Sequence, residues 1–158
     1  MMQYYQDKIN DKILFKRNEI ELLFKSDIKN VALTSYILCI ESIHRESLIL
    51  RLIENILAKI FPGYCKRKDF SLGPFQIKYS FCKKYKIEIE SITELLDFSK
   101  SAKIVDRFIE LHKGLSQEEI LRLYHSGGII DINYSTYLYS SLFIGYQEYF
   151  DRKYIFNV

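Results

Sequence analysis

Two side chains in this sequence have the type and setting that chemistry asks for. Glu41 follows the apolar run "YILCI", at the edge of an otherwise apolar helix. Desolvation raises the pKa of a carboxyl and makes it a usable general acid or base near neutral pH. The plainer reading is a helix-end glutamate paired with Arg45 or a lysine. Gln76 stands in "SLGPFQIK", between Phe75 and Ile77 and just after Gly73-Pro74. Its amide offers both donor and acceptor, which suits a sugar hydroxyl or an N-acetyl group. Gly73 lets backbone approach a ligand closely. The plainer reading is a turn whose glutamine caps a neighbouring backbone group.

Other chemistries find less support. His44, His112 and His125 have no paired ligand spacing, so no metal is expected, and no motif calls for a cofactor. Cys39 lies in an apolar run and reads as a buried thiol. Cys65 and Cys82 could pair, but reduced thiols are the default for so few cysteines. The net charge of +3 is too mild for a nucleic-acid protein. "CKRKDF" and "FCKKYK" could attract an acidic ligand, although a solvated loop explains such runs equally simply.

These residues need a scaffold. The 158 residues suffice for a single domain, 1–158, with a real core. Only two prolines and six glycines argue against a loop-rich all-β domain. Residues 4–25 space Ile9, Ile13, Leu14, Ile20, Leu22 and Leu23 loosely as a helix face. Ser26 or Asp27 can cap the buried helix that carries Glu41. From Ser47, Leu48, Leu52, Ile56 and Ile60 fall on one stripe of an amphipathic helix that Pro62-Gly63 ends. Residues 63–80 read as irregular. "KIEIE" alternates as a short strand would, or begins the next helix. Ser91 can cap "ITELLDF", and a helix over 101–113 turns Ile104, Val105, Phe108, Ile109 and His112 inward. Ser116 and Glu119 form a capping box, and Gly127-Gly128 closes that helix. The last helix, over 134–150, is rich in Tyr and Phe, which reads as core but could instead offer a protein partner a surface. The expectation is a mainly α fold of about seven helices with little or no sheet.

The N-terminal "MMQYYQDKINDK" has no apolar core of a signal peptide. No run reaches the length of a transmembrane helix, so no integral membrane segment is expected. As encoded, the chain is expected to stay in the cytoplasm unless another route exports it.

Taken together, Glu41-Ser42 at a helix end and "GPFQI" after a second helix resemble the lysozyme-like superfamily. There a helix-borne glutamate faces a Gly-x-(apolar)-Gln-(Ile/Val) segment across a sugar-binding cleft, as in lytic transglycosylases and goose-type lysozymes. The chain is most similar to the peptidoglycan glycosyltransferase (transglycosylase) domain of penicillin-binding proteins. "LILRLIENILAKI" stands where that family has a helix of the type "ILRALLAN". Ser71 and Gln76 keep its Ser-to-Gln interval, and "SQEEILRLYHSGG" resembles its late helix. The likeness covers residues 31–128.

The resemblance implies a lysozyme-like helical domain that acts on bacterial cell-wall glycan, either peptidoglycan or a lipid-linked precursor. Glu41 would be the general acid/base. Ser42, Ser71, Gly73, Gln76 and Lys78 would line the sugar site, and Tyr124 or Tyr137 would stack on the sugar. Ser42 replaces the family's acidic residue after the catalytic glutamate. Asp106 is nearest by spacing to its second acid, with Glu110 behind it. The Asn that ends the family's late motif is absent, with His125-Ser126 nearby. Two alternatives accompany the glycosyltransferase reading. One is a lytic transglycosylase or muramidase. The other is a catalytically lost lysozyme-like domain that holds another ligand.

Overall fold

The structure is a computed structural model that describes residues 2–44, 48–127 and 134–154. The N-terminal segment is two helices rather than one, α1 (Met2–Phe15) and α2 (Arg17–Phe24). Lys16 breaks them with φ −96° and ψ 14°. The bend lets Ile9 and Ile13 on one helix and Ile20 and Leu23 on the other all reach the core.

The next helix, α3 (Val31–His44), is the expected buried one. Tyr36, Ile37, Leu38, Cys39 and Ile40 are all buried, so consecutive positions face protein on every side. Neither Ser26 nor Asp27 caps it. Ser26 Oγ donates to Leu23 O and closes α2, and Asp27 pairs with Lys103. The carboxylate of Asp106 instead accepts from Lys29 N, Asn30 N and Asn30 Nδ2, at 3.2, 2.9 and 2.8 Å. It does the work of an N-cap from far along the chain.

Helix α4 (Leu48–Ile60) follows, and Ser47, expected to start it, lies outside the described residues. Its expected core stripe is not in the core. Leu52, Ile56 and Ile60 point to solvent, and Ala58 is its one buried residue among the described side chains. Pro62 does not simply stop the chain. It opens a short helix, α5 (Pro62–Lys68), where its missing N–H costs nothing.

Leu72 and Ile77 then pair as an isolated antiparallel bridge, and α6 (Tyr79–Lys84) follows directly. The stretch expected to be irregular thus holds two short helices around a tight turn. "KIEIE" forms neither strand nor helix; Lys86 takes φ +52°, and Ile87 and Ile89 lie half-buried in a loop.

"ITELL" is a 3₁₀ turn (Ile92–Leu96), capped by Ser91 and Glu94. Asp97 then accepts from Lys100 N at 2.8 Å and starts α7 (Phe98–Leu111) a few residues before residue 101. The Ser116–Glu119 box opens α8 (Gln117–Ser126), and Gly127 closes it at φ +70°. Gly128 lies outside the described residues. Helix α9 (Tyr134–Tyr154) is the last element. The fold is mainly helical, as expected, with no strand among the described residues, and the bend at Lys16 and the two short helices carry the count past seven.

Two aromatic clusters hold the helices together. In the first, Tyr36 of α3 meets Tyr139, Phe143 and Tyr146 of α9 edge-on, at centroid distances of 6.0, 5.1 and 5.0 Å. Tyr139, Phe143, Tyr146 and Phe150 of α9 are therefore core, whereas Tyr137 is exposed. In the second, Phe108 of α7 packs on Phe81, Tyr85 and Tyr124 at 4.9, 4.8 and 5.6 Å. No helix among the described residues is long and apolar enough to cross a membrane.

Candidate functional site

Between these clusters lies a cavity of about 550 Å³, lined by Glu41, Ser71, Gln76, Lys78, Tyr124 and His125 among others. Cavities of this size hold small ligands. Five residues singled out from the sequence thus share one wall system: Glu41, Ser71, Gln76, Lys78 and Tyr124.

Glu41 sits half-buried in the last turn of α3. Tyr139 O–H donates to its Oε1 at 3.1 Å. Burial pushes the Tyr139 phenol well above its usual value, and the charge of Glu41 adds to the effect. The phenol therefore stays protonated, as a permanent donor to the carboxylate. The His125 ring stacks on Tyr139 with centroids 4.5 Å apart. Glu41 and His125 line the cavity, and Tyr139 touches both from behind the wall, through a hydrogen bond to the first and ring stacking on the second.

The facing wall is the 72–77 turn. Leu72 and Ile77 exchange two backbone hydrogen bonds of 3.0 Å, and Gln76 N donates to Gly73 O at 3.2 Å. Gly73 has φ +72°, and a Cβ there would lie 1.7 Å from Leu95 O, so the position admits only glycine. Phe75 and Ile77 are buried, which explains why apolar residues flank the glutamine. They anchor the turn and leave Gln76 at the cavity.

Gln76 itself takes φ +55°, an uncommon conformation for a residue with a side chain. Its Nε2 donates to Gly73 O at 2.6 Å. Its Oε1 is buried with no partner. A buried acceptor without a donor is costly unless a ligand supplies one. Backbone strain and an unmet acceptor coincide on one residue at a cavity wall, and such features gather at functional sites.

The other expected residues fall differently. Tyr124 lines the cavity, but its hydroxyl donates to Phe75 O at 2.6 Å and braces the turn. Burial, then the charge of Glu41, raises its pKa well above the usual value, so it too remains a donor. Lys78 is exposed at the start of α6. Tyr137 is 54% exposed and not among the cavity's lining residues. Gly73 borders a separate hollow of about 160 Å³ with Glu54, Asn55 and Pro74, and Gln76 lies between the two spaces. Ser42 Oγ is buried and donates to Leu38 O at 2.7 Å, so it does not reach the cavity.

Asp106 is also elsewhere. Its oxygens are committed to Lys29 and Asn30, and Glu110 accepts from the same Asn30 Nδ2 at 3.0 Å. Both carboxylates fasten α7 to the start of α3, and neither borders the cavity. Among the described lining residues Glu41 is the single carboxylate.

Sequence reasoning did not assign Tyr139 or His125 to the site. Tyr139 is hidden in an aromatic stripe that reads as core. His125 was visible only as the residue standing near a missing asparagine. Ser80 and Lys84 also line the cavity. Ser80 N donates to Asp69 Oδ1 at 2.8 Å, and Lys84 Nζ donates to Gly127 O at 2.9 Å. The latter bond ties α6 to the end of α8.

Burial raises the thiols of Cys39 to about 12 and Cys82 to about 11. Neither is a nucleophile near neutral pH. Cys65 and Cys82 are free thiols, not a disulfide. Among the described residues no cluster of His, Cys, Asp and Glu could hold a metal ion. No protein-family model, curated protein or solved structure matches this chain.

Proposed function

We propose that the chain is a glycan-active enzyme of the lysozyme-like kind, acting on peptidoglycan or its lipid-linked precursor with Glu41 as general acid/base. The observation that carries this reading is the meeting of Glu41 and Gln76 on one cavity, from segments that approach it independently. Gln76 brings an amide to the cavity wall, a group that suits a sugar hydroxyl or an N-acetyl amide.

Hydrolysis by the common two-carboxylate route needs a second acid across the bond. Among the described residues one carboxylate lines the cavity, which favours a reaction in which the substrate supplies the nucleophile. Glycosyl transfer does so when Glu41 accepts the proton of an attacking sugar hydroxyl. The donor bond from Tyr139 holds the Glu41 carboxyl in place. Lys78 and Lys84 on the same wall suit the diphosphate of a lipid-linked precursor. Lytic cleavage is the second reading, because one carboxylate also serves when the sugar's own hydroxyl attacks.

The test incubates the protein and its Glu41→Gln variant with peptidoglycan sacculi, and separately with lipid-linked disaccharide, and identifies products by mass spectrometry. Polymer or soluble fragments from the unmutated protein, with a loss of about a hundredfold or more in the variant, is the expected result. Equal activity in both removes Glu41 from the chemistry. Tight glycan binding without any product would make the cavity a binding site.

A further inference from the structure

Helix α4 is built inside out. Its apolar residues face solvent: Ile49 is 71% exposed, Leu52 and Ile60 61% each, and Ile53 and Ile56 46% each. Two of its polar residues lie on the inward side. Glu54 and Asn55 are half-buried against the 160 Å³ hollow beside Gln76. Phe61 and Tyr64 extend the apolar surface across the junction with α5, at 57% and 41% exposed. A contiguous apolar surface on one helix needs a covering partner.

Charge says which partner. Residues 48–68 hold five cations and one carboxylate, a net +4, whereas the whole chain is +3, so everything else sums to −1. Lys59, Arg67 and Lys68 are exposed beside the apolar face. The one carboxylate, Glu54, is on the inward side. A second copy of this surface would bring Lys59, Arg67 and Lys68 against cations of the same kind and be repelled. The face is also almost wholly branched aliphatic, whereas protein-binding hot spots favour Trp, Tyr and Arg and are poor in Leu. An aliphatic helix face flanked by cations is the composition that lies in a bilayer interface and prefers anionic headgroups.

We infer that α4 and α5 form a docking face for an anionic lipid surface, with α4 lying flat in the interface and the basic residues on the headgroups. Another exposed apolar group, Phe15 at the end of α1, has its own cations at hand: Lys12 and Lys16 ammonium groups each lie 5.5 Å from its ring centroid. The inference does not depend on the glycan reading.

The test is co-sedimentation of the full chain with vesicles of phosphatidylcholine alone and with phosphatidylglycerol added. Partitioning onto the anionic vesicles should be stronger by roughly tenfold or more, and salt should weaken it. Ile53→Asp with Ile56→Asp should abolish it, and Arg67→Glu with Lys68→Glu should remove the anionic preference. Phe15→Ser should change nothing. All these side chains are exposed, and circular dichroism checks that each variant keeps its helix content. Absence of sedimentation, equal binding to both vesicle types, or binding indifferent to the α4 substitutions would each overturn the inference. So would a concentration-dependent dimer that Ile53→Asp dissolves while vesicles go unbound, which would assign the face to a second copy.

Discussion

Helices α4 and α7 are close to equal in length, at 13 and 14 residues, and both repeat apolar side chains at helical spacing. Their fates are opposite. In α7, Ala102, Ile104, Val105, Phe108 and Ile109 are all buried. In α4 the corresponding stripe is in water. A periodic pattern states that a helix has an apolar face. It does not state what covers that face, because the cover comes from elements distant in sequence. α7 meets the aromatic rings of α6 and α8, whereas α4 turns inward a narrow side made of Glu54, Asn55, Leu57 and Ala58.

Substitutions can break this contrast or sharpen it. The largest effect belongs to Phe108→Ala, which empties the centre of the second aromatic cluster and should cost about 3–5 kcal/mol in urea unfolding. Gly73→Ala should come next, at about 2 kcal/mol or more by the same measurement, because the new methyl meets Leu95 O on a left-handed backbone. Tyr124→Phe deletes the donor to Phe75 O and leaves that carbonyl buried, for about 1–2 kcal/mol. Ile56→Ser on α4 should fall within about 0.5 kcal/mol of zero. If Ile56→Ser cost as much as a core deletion, α4 would be covered in solution and the contrast would fail.

The same reasoning shows which features were legible. The capping box at Ser116 and Glu119 is local chemistry, written within four consecutive residues, and the structure has it as read. The buried character of α3 was legible because apolar residues there ignore helical period. The shared cavity was accessible only through the combination of Glu41 with "GPFQI", since neither signal alone outweighs its plainer reading. Asp106 shows the limit. Spacing suggested a catalytic acid, but its actual partners are backbone N–H groups at Lys29 and Asn30, and no local pattern marks a cap supplied from another helix. The outward stripe of α4 and the placement of Tyr139 beside Glu41 fail for the same reason. Both are facts about which elements meet. The short helices α5 and α6 were missed because so few residues cannot show a period.

The contact between Tyr139 and Glu41 also has a consequence for biosynthesis. Its two residues are 98 positions apart, and the later one is on the last helix. At roughly 5–20 residues per second, a ribosome needs about 5–20 s to travel from one to the other. During that interval α3 has no aromatic cover from α9, and Glu41 lacks its phenol. A nascent chain therefore carries the carboxylate without the group that orients it. The pair is completed only when α9 has emerged and docked, so this corner of the cavity is among the later parts of the fold to form.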